Sequence, residues 1–339
     1  MGKPPPSAGR FGPGLPREAR TGLLYPPPAP AVPDGRNWAK LNPGRTCVKR
    51  YPADPGLAVR MFVVLALLFL LYLGFFVVMV EAGLDPLFAL LIAGFGLGLQ
   101  YFFSDRLALM AVGARIEDPT RYPELDGMLT RLCLAADLPK PKLAIADLDV
   151  PNAFAAGRDP KHSVVVLTRG LLERLEPEEV EAVIAHELSH IRNRDVLVIT
   201  LATFFSLVAY YIVRFGPYLT AGRRRRDSGN AFLAILAALA VWLISMLLIR
   251  ALSRYREYAA DRGSAYLTGR PMALASALVK ISEEAVRLPK EDLRTMSALN
   301  ALFIFPFRGG GLFELFSTHP SLENRLRYLE KVARELERP

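Results

Sequence analysis

Cysteine is nearly absent from this chain: Cys47 and Cys133 are the only two, far apart and in unlike surroundings. That argues against a disulfide framework and a cysteine-ligated metal site, and it fits a reducing compartment. Histidine is almost as scarce, at four in 339 residues, so any two that fall close together are informative. No short apolar core with a small-residue cleavage site lies near the start, so no secretory signal peptide is expected. A general basic excess is also missing. The net charge is +9, but residues 1–60 hold ten Lys/Arg against three Asp/Glu and so supply +7 of it. The remainder is nearly neutral and has no basic face with interleaved aromatics, which argues against nucleic acid as a partner. Positive charge flanking membrane segments accounts for it better.

What the chain has in plenty is apolar surface. Hydrophobic residues make up 52% and the mean hydropathy is +0.23, high for a soluble protein. Residues 1–60 are the exception. They contain thirteen prolines and few aliphatic residues, and are expected to be a disordered, basic, Pro-rich tail that cannot offset its ordering entropy. Residues 61–80 then run for twenty positions without a charge or a proline, which matches the hydrocarbon thickness of a bilayer. A short acidic turn leads to a second apolar stretch at 87–103, in which Gly94 and Gly98 form a small-xxx-small pair. Residues 61–103 therefore read as a transmembrane hairpin. Residues 196–213 and 231–249 are apolar throughout, with Arg223–Arg226 between them. Within 196–250 the chain either crosses again as a hairpin or embeds without fully crossing.

Between the apolar pairs the pattern is that of a folded domain. Residues 125–138 have helical periodicity, 142–148 alternate as a strand, 152–157 are short and apolar, and 163–168 are a β-branched run leading into a helix at 169–175. The expected fold is α+β and mainly α-helical: an integral membrane protein with about four transmembrane helices and a catalytic domain carrying a small β-sheet. That domain is expected in two parts, 104–195 and 251–339.

His186-Glu187-Leu188-Ser189-His190 is the stretch around which this is organised. Histidines four apart share one helix face, so two imidazole nitrogens can reach one metal ion. Glu187 lies between them, where it can take a proton from a zinc-activated water; this is the physical content of the HExxH motif and marks the domain as zincin-like. The helix is well signalled by Pro177 at its start, by Glu176, Glu178 and Glu179 at its positive end, and by Val180, Val183, Ile184, Leu188 and Ile191 at helical spacing. A third histidine six residues beyond His190 is excluded, because that position is Val196. The other common ligand is a Glu on a later helix. Glu257 and Asp261, four apart in Ser253-Arg-Tyr-Arg-Glu-Tyr-Ala-Ala-Asp261, supply one. Glu257 can complete the ligand set, and Asp261 can hold the far nitrogen of His186; the alternative is a solvated helix face on which Arg254, Arg256 and Arg262 pair these acids. One zinc ion per subunit is the expected cofactor.

HELSH, a following apolar hairpin, then SRYREYAAD, with PNAFAAG upstream and STHPSLENR downstream, resembles the HtpX-type membrane zinc endopeptidases, relatives of the eukaryotic CAAX prenyl endopeptidases. The resemblance covers about residues 55–335. It implies zinc on His186, His190 and Glu257, Glu187 as general base, and cleavage of membrane or misfolded proteins in bacterial quality control. It further implies that Asn152 and Ala153 open an edge strand that pairs with the substrate backbone, that His319 donates to the oxyanion, and that Arg325 anchors the site or the substrate. The rival readings are an endopeptidase trimming lipid-modified C-termini and a catalytically inactive scaffold; the second predicts a missing zinc-site residue, and none is missing. Lys/Arg cluster beside residues 61–80 on the N-terminal side, while the turn at 81–86 has none. The positive-inside rule then places the active site in the cytoplasm, in a multi-pass protein of the bacterial inner membrane.

Overall fold

The computed structural model describes residues 54–81, 91, 94–96, 98–99, 101–220, 228–287 and 320–337. The helices are α1 (Pro55–Glu81), α2 (Ser104–Val112), α3 (Pro123–Ala136), α4 (Arg169–Arg174), α5 (Pro177–Arg192), α6 (Asp195–Thr220), α7 (Ser228–Thr268), α8 (Pro271–Arg287) and α9 (Leu322–Leu336). The strands are β1 (Arg115–Ile116), β2 (Lys142–Ala146), β3 (Ala153–Gly157) and β4 (Ser163–Thr168). The sheet order is β1-β2-β4-β3, with β2 and β4 parallel and the outer pairs antiparallel.

The β-branched run 163–168 becomes the central strand because it can be covered on both faces. Val165 and Leu167 point into the core formed by α3, α5, α8 and α9, while Val164 and Val166 point to the other side against Ala108 and Val112 of α2. β3 lies at the edge, in register from Ala153 opposite Leu167 to Gly157 opposite Ser163. Gly157 has a φ of 132°, and a Cβ there would fall 2.1 Å from the His162 carbonyl oxygen. Only glycine lets the chain turn so tightly back into β4.

Three helices among the described residues are long and apolar enough to cross a membrane, at Pro55–Val78, Asp195–Arg214 and Ile235–Thr268. One stripe of α1, Val64, Leu68, Tyr72 and Phe75, packs on Ala202 and Ala209 of α6 and on Ala238 and Val241 of α7. The Tyr72 hydroxyl donates to the Ala202 carbonyl at 2.6 Å. The opposite face shows Phe62 and Phe69 at 71% and 66% exposure, as a lipid-facing surface does. Of the fourth expected span, 87–103, residues 91, 94–96, 98–99 and 101–103 are described, and all of these but 103 are helical.

Two expected boundaries move. α1 begins at Pro55 rather than at residue 61, because the Asp54 carboxylate accepts the Leu57 N–H at 3.1 Å and Pro55 occupies the first helical position. The domain boundary expected between 250 and 251 falls inside a helix. α7 is one helix of 41 residues, about 60 Å long at 1.5 Å per residue, so its apolar first half and its charged second half form a single rod.

Candidate metal centre

α5 is set by its own ends. Pro177 opens it, and the Glu176 N–H donates to the Glu179 side chain at 2.9 Å. It crosses α7 where both helices present small residues: Ala182 and Ala185 against Ala260, Ser264 and Ala265, all fully buried. The Ser264 hydroxyl donates to the Ala182 carbonyl at 2.6 Å. That close approach brings the pair four apart on α5 against the pair four apart on α7.

The result is one cluster. His186 Nε2 and His190 Nε2 are 3.2 Å apart. Glu257 reaches them with Oε2 at 3.6 Å from His186 Nε2 and Oε1 at 3.7 Å from His190 Nε2. One ligand atom from each of the three lies within 4.8 Å of the others. Bonds of about 2.0–2.2 Å to one ion require donors this close, and two imidazoles with a carboxylate are a donor set that suits zinc. The residues present fit a single zinc ion. Glu187, 3% exposed, lies between the histidines on α5, and its charge acts on both His190 and Arg325.

Both histidines are held from behind. His186 Nδ1 is 3.1 Å from Asp261 Oδ1, close but off the line of a hydrogen bond. Asp261 is itself gripped by Arg325, whose Nε donates to Oδ2 at 3.0 Å and Nη2 to Oδ1 at 2.5 Å. Arg325 Nη1 also lies 3.4 Å from Glu257 Oε2. Arg325 and Asp261 are both 0% exposed, so this ion pair lies in the interior behind the cluster. His190 Nδ1 is 2.5 Å from Asp195 Oδ2, and Arg256 pairs with the other oxygen of Asp195. Burial, helped by the His186 and Arg256 charges, pushes the His190 imidazole down to about 4. Burial acts in the same direction on His186, but contact with Asp261 and Glu257 outweighs it and holds that ring above its ordinary value.

Asn152 and Ala153 are buried at the start of β3. The Asn152 N–H donates to Thr168 Oγ1 at 2.8 Å, and its carbonyl accepts the Thr168 N–H at 3.0 Å. Among the described residues, the far edge of β3 pairs with no other strand. His319 lies outside the described residues. Sequence reasoning missed Asp195 and Arg256. The signal was an acid five residues beyond His190, hidden by the chain reversal at Arg194, which takes a left-handed φ of 54°.

Membrane-capable helices running into a buried His/His/Glu centre, with a carboxylate between the histidines, define a membrane-bound protein with the residue set of a metallopeptidase. Comparison with known proteins makes this specific. The sequence model of Peptidase family M48 matches residues 119–333, and the chain belongs to that family. It is 50% identical over 291 residues to "Protease HtpX homolog 2" of Methanosarcina acetivorans, covering 85% of this chain and 99% of that protein. It is 51% identical over 290 residues to "Protease HtpX homolog" of Moorella thermoacetica, covering 84% and 97%. The crystal structure of S. mikatae Ste24p aligns over 80% of this chain and 67% of that chain, with a TM-score of 0.47 at 17% identity. The protein is a membrane protease.

Proposed function

We propose that this protein is a zinc-dependent endopeptidase that cuts membrane or misfolded proteins. The observation that carries the reading is the convergence of His186, His190 and Glu257 within 4.8 Å, with Glu187 buried between the two histidines. These three side chains would hold the metal. A bound zinc ion lowers the pKa of water to about 7 and polarises a carbonyl oxygen. The Glu187 carboxylate takes the proton from the attacking water and hands it to the leaving amine as the peptide C–N bond breaks. Asp261, fixed by Arg325, holds His186 with Nε2 turned inward. Among the described residues no other strand pairs with the far edge of β3, and an extended substrate backbone can pair there, beginning at Asn152 and Ala153. His319 is assigned to the oxyanion by family resemblance. The active site is assigned to the cytoplasmic face of the bacterial inner membrane, from the positive charge near residues 45–60.

The test is proteolysis of a membrane-protein substrate by the purified full chain. Removing metal should stop cleavage, and zinc should restore it. Glu187→Gln should bind zinc as the wild type does and cleave nothing. Hydrolysis by Glu187→Gln at close to the wild-type rate would remove the general-base assignment.

A further inference from the structure

The two ligand histidines are supported by separate devices, and only the one behind His186 was expected from the sequence. His186 leans on Asp261 and Arg325. His190 leans on Asp195 and Arg256, and Asp195 is the first residue of α6, a membrane-capable helix. The geometry points to Asp195, oriented by Arg256, as the positioning residue for His190 and so for the metal centre. This rests on the zinc reading given above.

Three observations carry it. His190 Nδ1 faces Asp195 Oδ2 within hydrogen-bonding reach, the placement of a carboxylate behind a metal-binding imidazole. With Nδ1–H donating to Asp195, the neutral ring must present Nε2 as an acceptor, and Nε2 is the atom that faces His186 and Glu257. The other oxygen of Asp195 is taken by Arg256, which is 3% exposed and adjacent in sequence to the ligand Glu257. One carboxylate therefore ties a ligand on α5 to the residue next to a ligand on α7. An acid at a helix start is favourable through the helix dipole alone, but that role would require neither contact.

The chain reversal makes the contact possible. α5 ends at Arg192; the N–H of Asn193, which caps it, still donates to the Ser189 carbonyl at 2.9 Å, and Arg194 turns the chain with a left-handed φ. α6 then begins at once with Asp195, carried back beside the last turn of α5. A longer connection would leave the carboxylate out of reach of His190.

Zinc competition with a chromophoric chelator, on the purified full chain in detergent, tests the assignment, together with the visible spectrum of the cobalt-substituted protein. Thermal unfolding of the metal-free forms reports on folding separately. Asp195→Asn should lose about 10–100-fold in zinc affinity, shift the cobalt spectrum, and melt close to the wild type without metal; Asp195→Glu should recover part of the affinity. Wild-type affinity and an unshifted spectrum in Asp195→Asn overturn the positioning role and leave the zinc reading standing. Failure of the wild type itself to bind one equivalent of metal overturns both. Should Asp195→Asn not fold, Arg256→Gln decides: a folded variant with unchanged affinity and spectrum also overturns the assignment.

Discussion

Replacing Arg325 by Met removes one side of a buried ion pair and leaves the other behind. Arg325 gives Asp261 two charge-assisted hydrogen bonds, at 3.0 and 2.5 Å, and both residues are fully buried. Each such bond contributes about 1.5–3 kcal/mol. Breaking a buried pair by deleting one partner costs about 3–5 kcal/mol, because the surviving charge has no water to turn to. Met fills the volume of the arginine stem but supplies no donor. The loss falls on the docking of α9, which is otherwise held by Leu329 and Val332 in the core, each worth about 1.5–3 kcal/mol of burial. Losing a term of that size should release α9 locally before the rest of the domain opens. At about 1.4 kcal/mol per decade, amide exchange over Leu322–Leu336 should quicken by about 10²–10⁴-fold. Hydrogen exchange read by mass spectrometry measures this segment directly. Adding Asp261→Asn to Arg325→Met should return more than half of the loss, since the orphaned charge is gone. If the two single effects simply add, to within about 0.5 kcal/mol, the two residues are not coupled and the argument fails.

Glu179 makes a prediction with a definite pH sign. Burial opposes its ionisation, but Lys280 at 2.8 Å, Ser276 at 2.6 Å and the Glu176 N–H hold its carboxyl below the usual value of 4.5. A depressed carboxyl contributes stability above that usual value and loses it as the pH falls through the folded one. Glu179→Gln should therefore cost about 1–2 kcal/mol at pH 7, with the gap closing as the pH falls below 4.5 and through the lowered folded value; a gap that persists in acid refutes the ion-pair account. Sidedness can be read at Lys161, which is exposed, whereas the nearby Ser163 is buried. In a chain lacking Cys47, Lys161→Cys should resist an impermeant thiol reagent in intact cells and react after lysis. Cys133 should stay silent throughout, because burial pushes its thiol up to about 11. Labelling of Lys161→Cys without lysis inverts the orientation.

The parts of the centre legible in the sequence are those in which spacing along one helix decides geometry. His186 with His190, and Glu257 with Asp261, share a face whatever the helices pack against. β4 was legible because six consecutive buried residues need a β-branched run covered on both sides. Asp195 was not, since its partner lies across a reversal that depends on one left-handed residue. Nor was the unbroken α7. The polarity change near Arg250 reads as a domain boundary, but a helix tolerates such a change freely when each half meets a different surroundings. β1, two residues long, is too short to carry a periodic signal at all.

The unbroken α7 also acts as a ruler. Arg250 is the first charged side chain after its apolar run, and Glu257 stands seven residues further on, about 10 Å along the axis. No hinge intervenes to let that distance vary. On the proposed reading, a substrate helix from the same bilayer would unwind to reach β3, and an extended chain covers 10 Å in about three residues. Cleavage would then be measured from the membrane surface, by depth as well as by side chain. Lengthening or shortening α7 between Arg250 and Glu257 by whole turns would move the cut site along the substrate, by about 5.4 Å of chain for each turn.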